Sequence, residues 1–378
     1  MANKAADTPQ ARVQEAIDRL VADGGEVGLQ VAVIHRGELV VDAVSGLADA
    51  GRGLAVTPDT LFFATSTAKG MASAVAHVLV ERGELTDDLR VADVWPEFAA
   101  HGKGGVTLRH VLMHTAGVPA LPSDTTVEDL CDWDRMCRAL ADAEPWWEPG
   151  TRYGYHVHTF GFLLGETVRR ATGRSLTWWL HEAVTGPLGV EDDVHFGVPS
   201  ALLGRVARQE GAPGVPVPRP DPGTPAARAI PPATLPTADL ANRRDVLTSD
   251  IVAMGTMSAR GAARVYAGLL GHAGVPLVSP DRLTELARPA YEGPDEVMGV
   301  SSTWAFGFNP YRPGGVPARP GSTFGMVGGN GSAAWADIDS GLAVAVMRNR
   351  FSSDWNVAGE IDRLVAELLT TQPRGARP

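Results

Sequence analysis

Strand-like runs gather at the two ends of this chain and helix-like runs fill the space between, a division that constrains the fold more than any single motif. Residues 28–34 and 39–44 are rich in β-branched side chains and are joined through His35-Arg36-Gly37-Glu38, which predicts a hairpin. Similar runs recur at 303–308, 323–326, 333–338 and 342–347, with Asp339-Ser340-Gly341 as a tight turn between the last two. A helix is predicted over residues 9–22, where a Thr8-Pro9 start signal is followed by Val13, Ile17, Leu20 and Val21 on one face. Another covers 356–369, and the middle predicts helices at 66–82, 107–114, 127–143, 159–172, 175–184 and 259–270. The pattern implies an α+β fold: one antiparallel sheet built from both termini, flanked by the terminal helices, with an all-helical lobe inserted. A chain of 378 residues also exceeds what one compact core usually serves. Two lobes are therefore expected, residues 1–70 with 290–378 and residues 71–289. Residues 199–236, rich in proline and glycine, read as an excursion within the helical lobe rather than a linker.

The chemistry is carried by Ala64-Thr65-Ser66-Thr67-Ala68-Lys69-Gly70, which sets Ser66 and Lys69 three residues apart at a helix start. Residues i and i+3 share a helix face, so the amine can approach the hydroxyl. A serine hydroxyl is a weak nucleophile until a base takes its proton, and a desolvated lysine can be that base. By itself S-x-x-K arises often by chance, an N-capping serine before an exposed lysine being the ordinary case. Lysine is scarce here, however: only Lys4, Lys69 and Lys103 occur, while arginine is abundant. A lysine kept where arginine is the default suits a task that arginine, unable to shed its proton, cannot perform.

Three ordered blocks then give a resemblance. Residues 57–69 (TPDTLFFATSTAK) resemble the nucleophile region of class C β-lactamases, family VIII carboxylesterases and related acyltransferases. Residues 107–119 (TLRHVLMHTAGVP) are similar to that superfamily's "LRxLLxHTxGLP" segment, and residues 147–155 (WEPGTRYGY) to its Pro-Gly-Thr turn. The resemblance spans roughly residues 10–370 and implies a β-lactamase/transpeptidase-like fold. It also implies a catalytic tyrosine a few residues after the turn, for which Tyr155 fits best and Tyr153 is the rival. β-Lactamases have Tyr-x-Asn here, whereas this chain has Tyr155-His156-Val157. The superfamily's third motif, Lys-Thr-Gly or His-x-Gly, corresponds to Met326-Val327-Gly328, followed by Gly329. Met326 thus stands at the cationic position, and a thioether cannot bind a carboxylate, so penicillin recognition loses its main anchor. Gly328 and Gly329 remain, and the Gly329 amide is the expected second oxyanion donor opposite Ser66.

Other readings are weaker. A net charge of −11 argues against a nucleic-acid partner. Nothing approaches a membrane span, and the N-terminal MANKAADTPQ lacks the order of a secretion signal, so a cytoplasmic enzyme is expected. Cys131 and Cys137 read as idle thiols on one helix. His110 and His114 have a spacing that could grip zinc, but Val111 stands where a metalloprotease needs Glu. His156 and His158 read as packed or solvent-facing, and Trp146, Trp147, Trp178 and Trp179 as core or lobe-interface residues. No G-x-S-x-G elbow, P-loop or dinucleotide fingerprint occurs, and no cofactor or metal is expected. The expected function is a serine hydrolase of esterase type acting through a Ser66 acyl-enzyme on a small ester, thioester or amide. An acyltransferase passing the acyl group to an alcohol or amine is the first alternative, and a catalytically silent binding protein the second.

Overall fold

The computed structural model describes residues 8–211 and 219–370, so the first seven residues and part of the proline-rich stretch lie outside it. Its centre is a six-stranded sheet in the order Thr323–Val327, Ala333–Asp337, Leu342–Arg348, Gly28–His35, Glu38–Asp49 and Leu54–Ala55. Every pairing is antiparallel. Gly28–His35 is the seam between the two ends of the chain. On one side it pairs with Glu38–Asp49 and on the other with Leu342–Arg348, so that Val31 lies between Ala43 and Val346.

The period-2 alternation sorts these strands into two unlike faces. Leu29, Val31, Val33, Val344 and Val346 point to the side covered by the terminal helices Pro9–Ala22 and Asn356–Thr370, where they meet Val13, Ile17, Ile361 and Val365. The opposite face carries Ala32, Ala343, Ala345, Ala334 and Ala336. Small side chains there admit the alanine- and glycine-rich helix Ala259–Leu269, which lies directly on the sheet. The helix Thr67–Glu81 packs beside it and is buried from Thr67 to Leu79, as expected of a helix that is apolar all round.

Local chemistry moved some predicted boundaries. The 303–308 run is a strand only over Ser301–Trp304, paired in a separate hairpin with Tyr291–Pro294. It ends because Gly307 takes a left-handed φ of 87°, turning Phe306 and Phe308 inward against His77. The 127–143 helix is two helices, Val127–Leu130 capped by Thr126 and Trp133–Asp142 capped by Asp132. Cys131 sits at the break between them, so the cysteines do not share a helix, and both are free. The 107–114 helix stops at Leu112, with His114 left-handed at φ 55°. The 175–184 helix is Leu176–Trp179 continued by a wider π-turn over Leu180–Thr185. Trp178 is 39% exposed beneath the Arg174 guanidinium and is not a core residue. A small sheet of Phe62–Phe63, Thr256–Met257 and Val194–His195 went unpredicted, its strands being too short to show a period. It anchors the chain just ahead of Ser66.

Candidate functional site

Strand Phe62–Phe63 delivers the chain into a sharp turn. Thr65 is left-handed at φ 42°, and Ser66 then stands at the N-cap position of the helix Thr67–Glu81 with its side chain making no capping hydrogen bond. One turn on, Lys69 is fully buried, and its Nζ donates to Ser66 Oγ at 3.0 Å. A weak second contact runs to the Ala253 carbonyl at 3.5 Å. Among the described residues no carboxylate compensates the amine, and burial lowers its pKa from 10.5 to about 7. Lysine in this setting sheds its proton near neutrality.

Tyr155 completes the group. Its ring lies under Lys69, with Nζ 5.0 Å from the ring centroid, and burial raises the phenol well above its ordinary value despite a hydrogen bond with Ser66. The phenol is therefore held protonated beside an amine that titrates near pH 7. Tyr153 is in a different place, buried and stacked on Tyr291 at 4.7 Å between ring centroids. Of the two tyrosines, the geometry brings only Tyr155 to Ser66 and Lys69.

The glycine loop after strand Thr323–Val327 faces the same turn. Gly328 approaches so closely that a Cβ on it would stand 2.5 Å from the Ala64 carbonyl and 2.6 Å from Thr65 Oγ1. Gly329 differs: a Cβ there would meet nothing within 4 Å, so it borders open space. Among the described residues neither the Ser66 nor the Gly329 amide N–H has a hydrogen-bond partner. Amides left free at the serine and in the loop that packs on its turn are of the kind that can receive a developing oxyanion. Met326 is buried with Tyr153 and Trp304 behind Tyr155, where it contributes packing and no charge.

Several residues hold this arrangement in ways that their sequence spacing does not show. Asn330 Nδ2 donates to the Phe63 carbonyl at 2.7 Å, while its Oδ1 accepts from the Thr65 hydroxyl at 3.1 Å. One side chain thus ties the glycine loop to the nucleophile turn. Trp355 Nε1 donates to the Gly328 carbonyl at 2.8 Å, and Arg348, paired with Glu26, lies beneath Gly331. Asp295 accepts the Tyr155 N–H at 3.1 Å, and His114 Nδ1 accepts the His156 N–H at 2.9 Å. The histidines weighed for zinc have separate duties. His110 closes a capping box with Thr107 and packs under Gly150, whereas His114 lies beyond the helix. His156 and His158 are both buried; His156 Nε2 accepts the Val118 N–H at 3.2 Å, and His158 Nε2 lies 3.0 Å from the Thr234 carbonyl.

Among the described residues the structure thus gathers a serine, a buried amine, a phenol and two amides without hydrogen-bond partners at one edge of the sheet. The family model described as Beta-lactamase matches residues 13–367, and the chain belongs to the Beta-lactamase family. It is 31% identical over 352 residues to "Esterase/beta-lactamase LipL" of Mycobacterium tuberculosis, covering 86% of this chain and 78% of the relative. Its fold superposes on the crystal structure of a family VIII carboxylesterase with a TM-score of 0.85, at 33% identity over 96% of this chain and 98% of that one. A penicillin-binding protein homologue from Caulobacter crescentus gives a TM-score of 0.83 at 32% identity, covering 95% and 97%.

Proposed function

We propose that this protein is an esterase-type serine hydrolase that works through an acyl-enzyme on Ser66. The observation that carries the reading is the 3.0 Å hydrogen bond between Ser66 and a fully buried lysine whose pKa is near 7. Lys69 takes the Ser66 proton as Oγ attacks the carbonyl carbon, the carbonyl π-electrons moving to oxygen. The Ser66 and Gly329 amides receive that oxyanion. As the tetrahedral species collapses, Tyr155 gives its proton to the leaving oxygen and is reprotonated from Lys69. Water then attacks the acyl-enzyme by the same route in reverse, releasing the acid and restoring Ser66.

An ester fits better than a β-lactam, because the strand position that could anchor a substrate carboxylate holds buried Met326. The site lies in this reading between a sheet lobe of residues 1–70 and 290–378 and a helical lobe of 71–289. The two free thiols fit a reducing cytoplasm, and among the described residues no helix is long and apolar enough to cross a membrane.

The test is intact-protein mass after mixing with p-nitrophenyl acetate or butyrate while nitrophenol release is followed, with Ser66→Ala alongside. An adduct absent from the variant, with steady release, is expected. A burst that resumes only on adding an amine or alcohol would make the protein an acyltransferase instead. Neither adduct nor release above Ser66→Ala would refute catalysis and leave the binding-protein reading.

A further inference from the structure

We propose that Asp295 is a positioning residue for Tyr155, an inference that rests on the catalytic reading of that tyrosine. Asp295 begins the tip of the Tyr291–Pro294/Ser301–Trp304 hairpin, 140 residues away in sequence. It is 4% exposed, and one of its carboxylate oxygens collects three backbone N–H groups: Tyr155 at 3.1 Å, Val297 at 2.9 Å and Met298 at 2.9 Å. The last two fold the tip around the carboxylate, leaving the first as its link to the site. No cation pairs with it among the described residues. A buried carboxylate held only by amides is an expensive way to shape a turn, since neutral asparagine or serine would serve. A charged acceptor makes a stronger hydrogen bond than a neutral one, which fits a demand for rigidity at Tyr155.

The surroundings serve the same end. Glu296 donates its N–H to the Tyr153 carbonyl at 3.0 Å, so the tip docks on this segment twice within three residues. Gly154 lets that docking close: a Cβ there would stand 2.9 Å from the Val297 side chain and 2.5 Å from Trp147. From the other side His114 accepts the next amide, that of His156, and its ring lies 4.7 Å from the Tyr155 ring. The backbone on both sides of the tyrosine is therefore gripped by side chains from distant elements. Displacing a proton donor by about 1 Å can lower a rate about 100-fold, so this grip bears directly on kcat.

The experiment is a double-mutant cycle in the full chain, with Asp295→Asn and Asp295→Ala each made alone and on Tyr155→Phe. Readouts are kcat and KM for p-nitrophenyl butyrate, with thermal midpoints as a check on folding. Asp295→Ala is expected to lower kcat about 10- to 100-fold with KM changed less than about 3-fold, by the displacement argument. Asp295→Asn, which keeps an acceptor oxygen but loses the charge, should lower kcat by less, about 3- to 10-fold. On Tyr155→Phe either change should lower kcat less than about 2-fold, because the group being positioned is already gone. Equal losses with and without the phenol would overturn the proposal and make Asp295 merely structural; so would wild-type kcat in Asp295→Ala when Tyr155→Phe alone is impaired. A Tyr155→Phe variant with wild-type kcat would overturn the reading of Tyr155 itself. If Asp295→Ala does not fold, the Asp295→Asn cycle decides: a lowered kcat on wild type that vanishes on Tyr155→Phe supports the proposal, and any other result rejects it.

Discussion

Replacing Lys69 by methionine separates what the buried amine does for catalysis from what it does to stability. The fall in its pKa from 10.5 to about 7 corresponds to roughly 5 kcal/mol of penalty on the charged form, at about 1.4 kcal/mol per pH unit. The face of the Tyr155 ring opposes this by about 1–2 kcal/mol, too little to reverse it. The sign follows from linkage. Above about pH 10.5 the lysine is neutral folded or unfolded and carries no penalty. As pH falls towards 7 the unfolded chain takes up a proton that the folded chain refuses, and the wild type loses stability. Below pH 7 both states bind it, and the penalty stays at its maximum. Methionine matches the shape of the stem without the charge, but it forfeits the hydrogen bond to Ser66, worth about 1 kcal/mol. Lys69→Met is therefore expected to be more stable than wild type by about 2–4 kcal/mol at pH 6, with the gap narrowing to about 0–1 kcal/mol at pH 9. Its kcat/KM should fall by at least about 100-fold, while wild-type kcat/KM should rise with pH through a midpoint near 7. Denaturant unfolding at the two pH values, with unchanged m, measures the first claim, and initial rates from pH 5.5 to 8.5 measure the second. A variant less stable than wild type at pH 6, or a gap that does not depend on pH, would refute the argument from burial.

Two further substitutions probe the supports of the site. Gly328→Ala drives a Cβ against the Ala64 carbonyl and Thr65 Oγ1, so it should destabilise by about 1–3 kcal/mol through overpacking; kcat, read by ester turnover, should fall more than KM rises as the two free amides are pushed apart. Glu26→Gln leaves the buried Arg348 guanidinium, among the described residues, with the half-exposed Asp354 carboxylate at 3.8 Å as its one anionic partner, and should lower stability by about 3–5 kcal/mol in denaturant unfolding.

Much of the architecture was legible from local pattern. Helices at Pro9–Ala22 and Thr159–Thr172 and the hairpin through Arg36-Gly37 lie where periodicity and stop signals predict them, because periodicity and capping are properties of neighbouring residues. Errors fell where capping or a single backbone angle overrode periodicity, as at Asp132, Gly307 and His114. The site divides along the same line. Ser66 and Lys69 could be paired from sequence because three residues on a helix fix their separation, whatever the rest of the chain does.

What the sequence by itself determined is thus most of the longer elements, the joining of strands from both ends of the chain in the central sheet, and the local spacing of the serine and lysine. Only the tertiary structure decided that Lys69 is stripped of water on every side, which is what brings its proton within reach of neutral pH. It also decided that Tyr155 rather than Tyr153 faces that amine, that Met326 is buried behind it, and that Asp295, His114 and Asn330 hold the parts in place. Asn330 reaches Phe63 across 267 residues and Asp295 reaches Tyr155 across 140. Contacts over such distances leave no local spacing to read, because they exist only once the sheet has brought the two ends of the chain together.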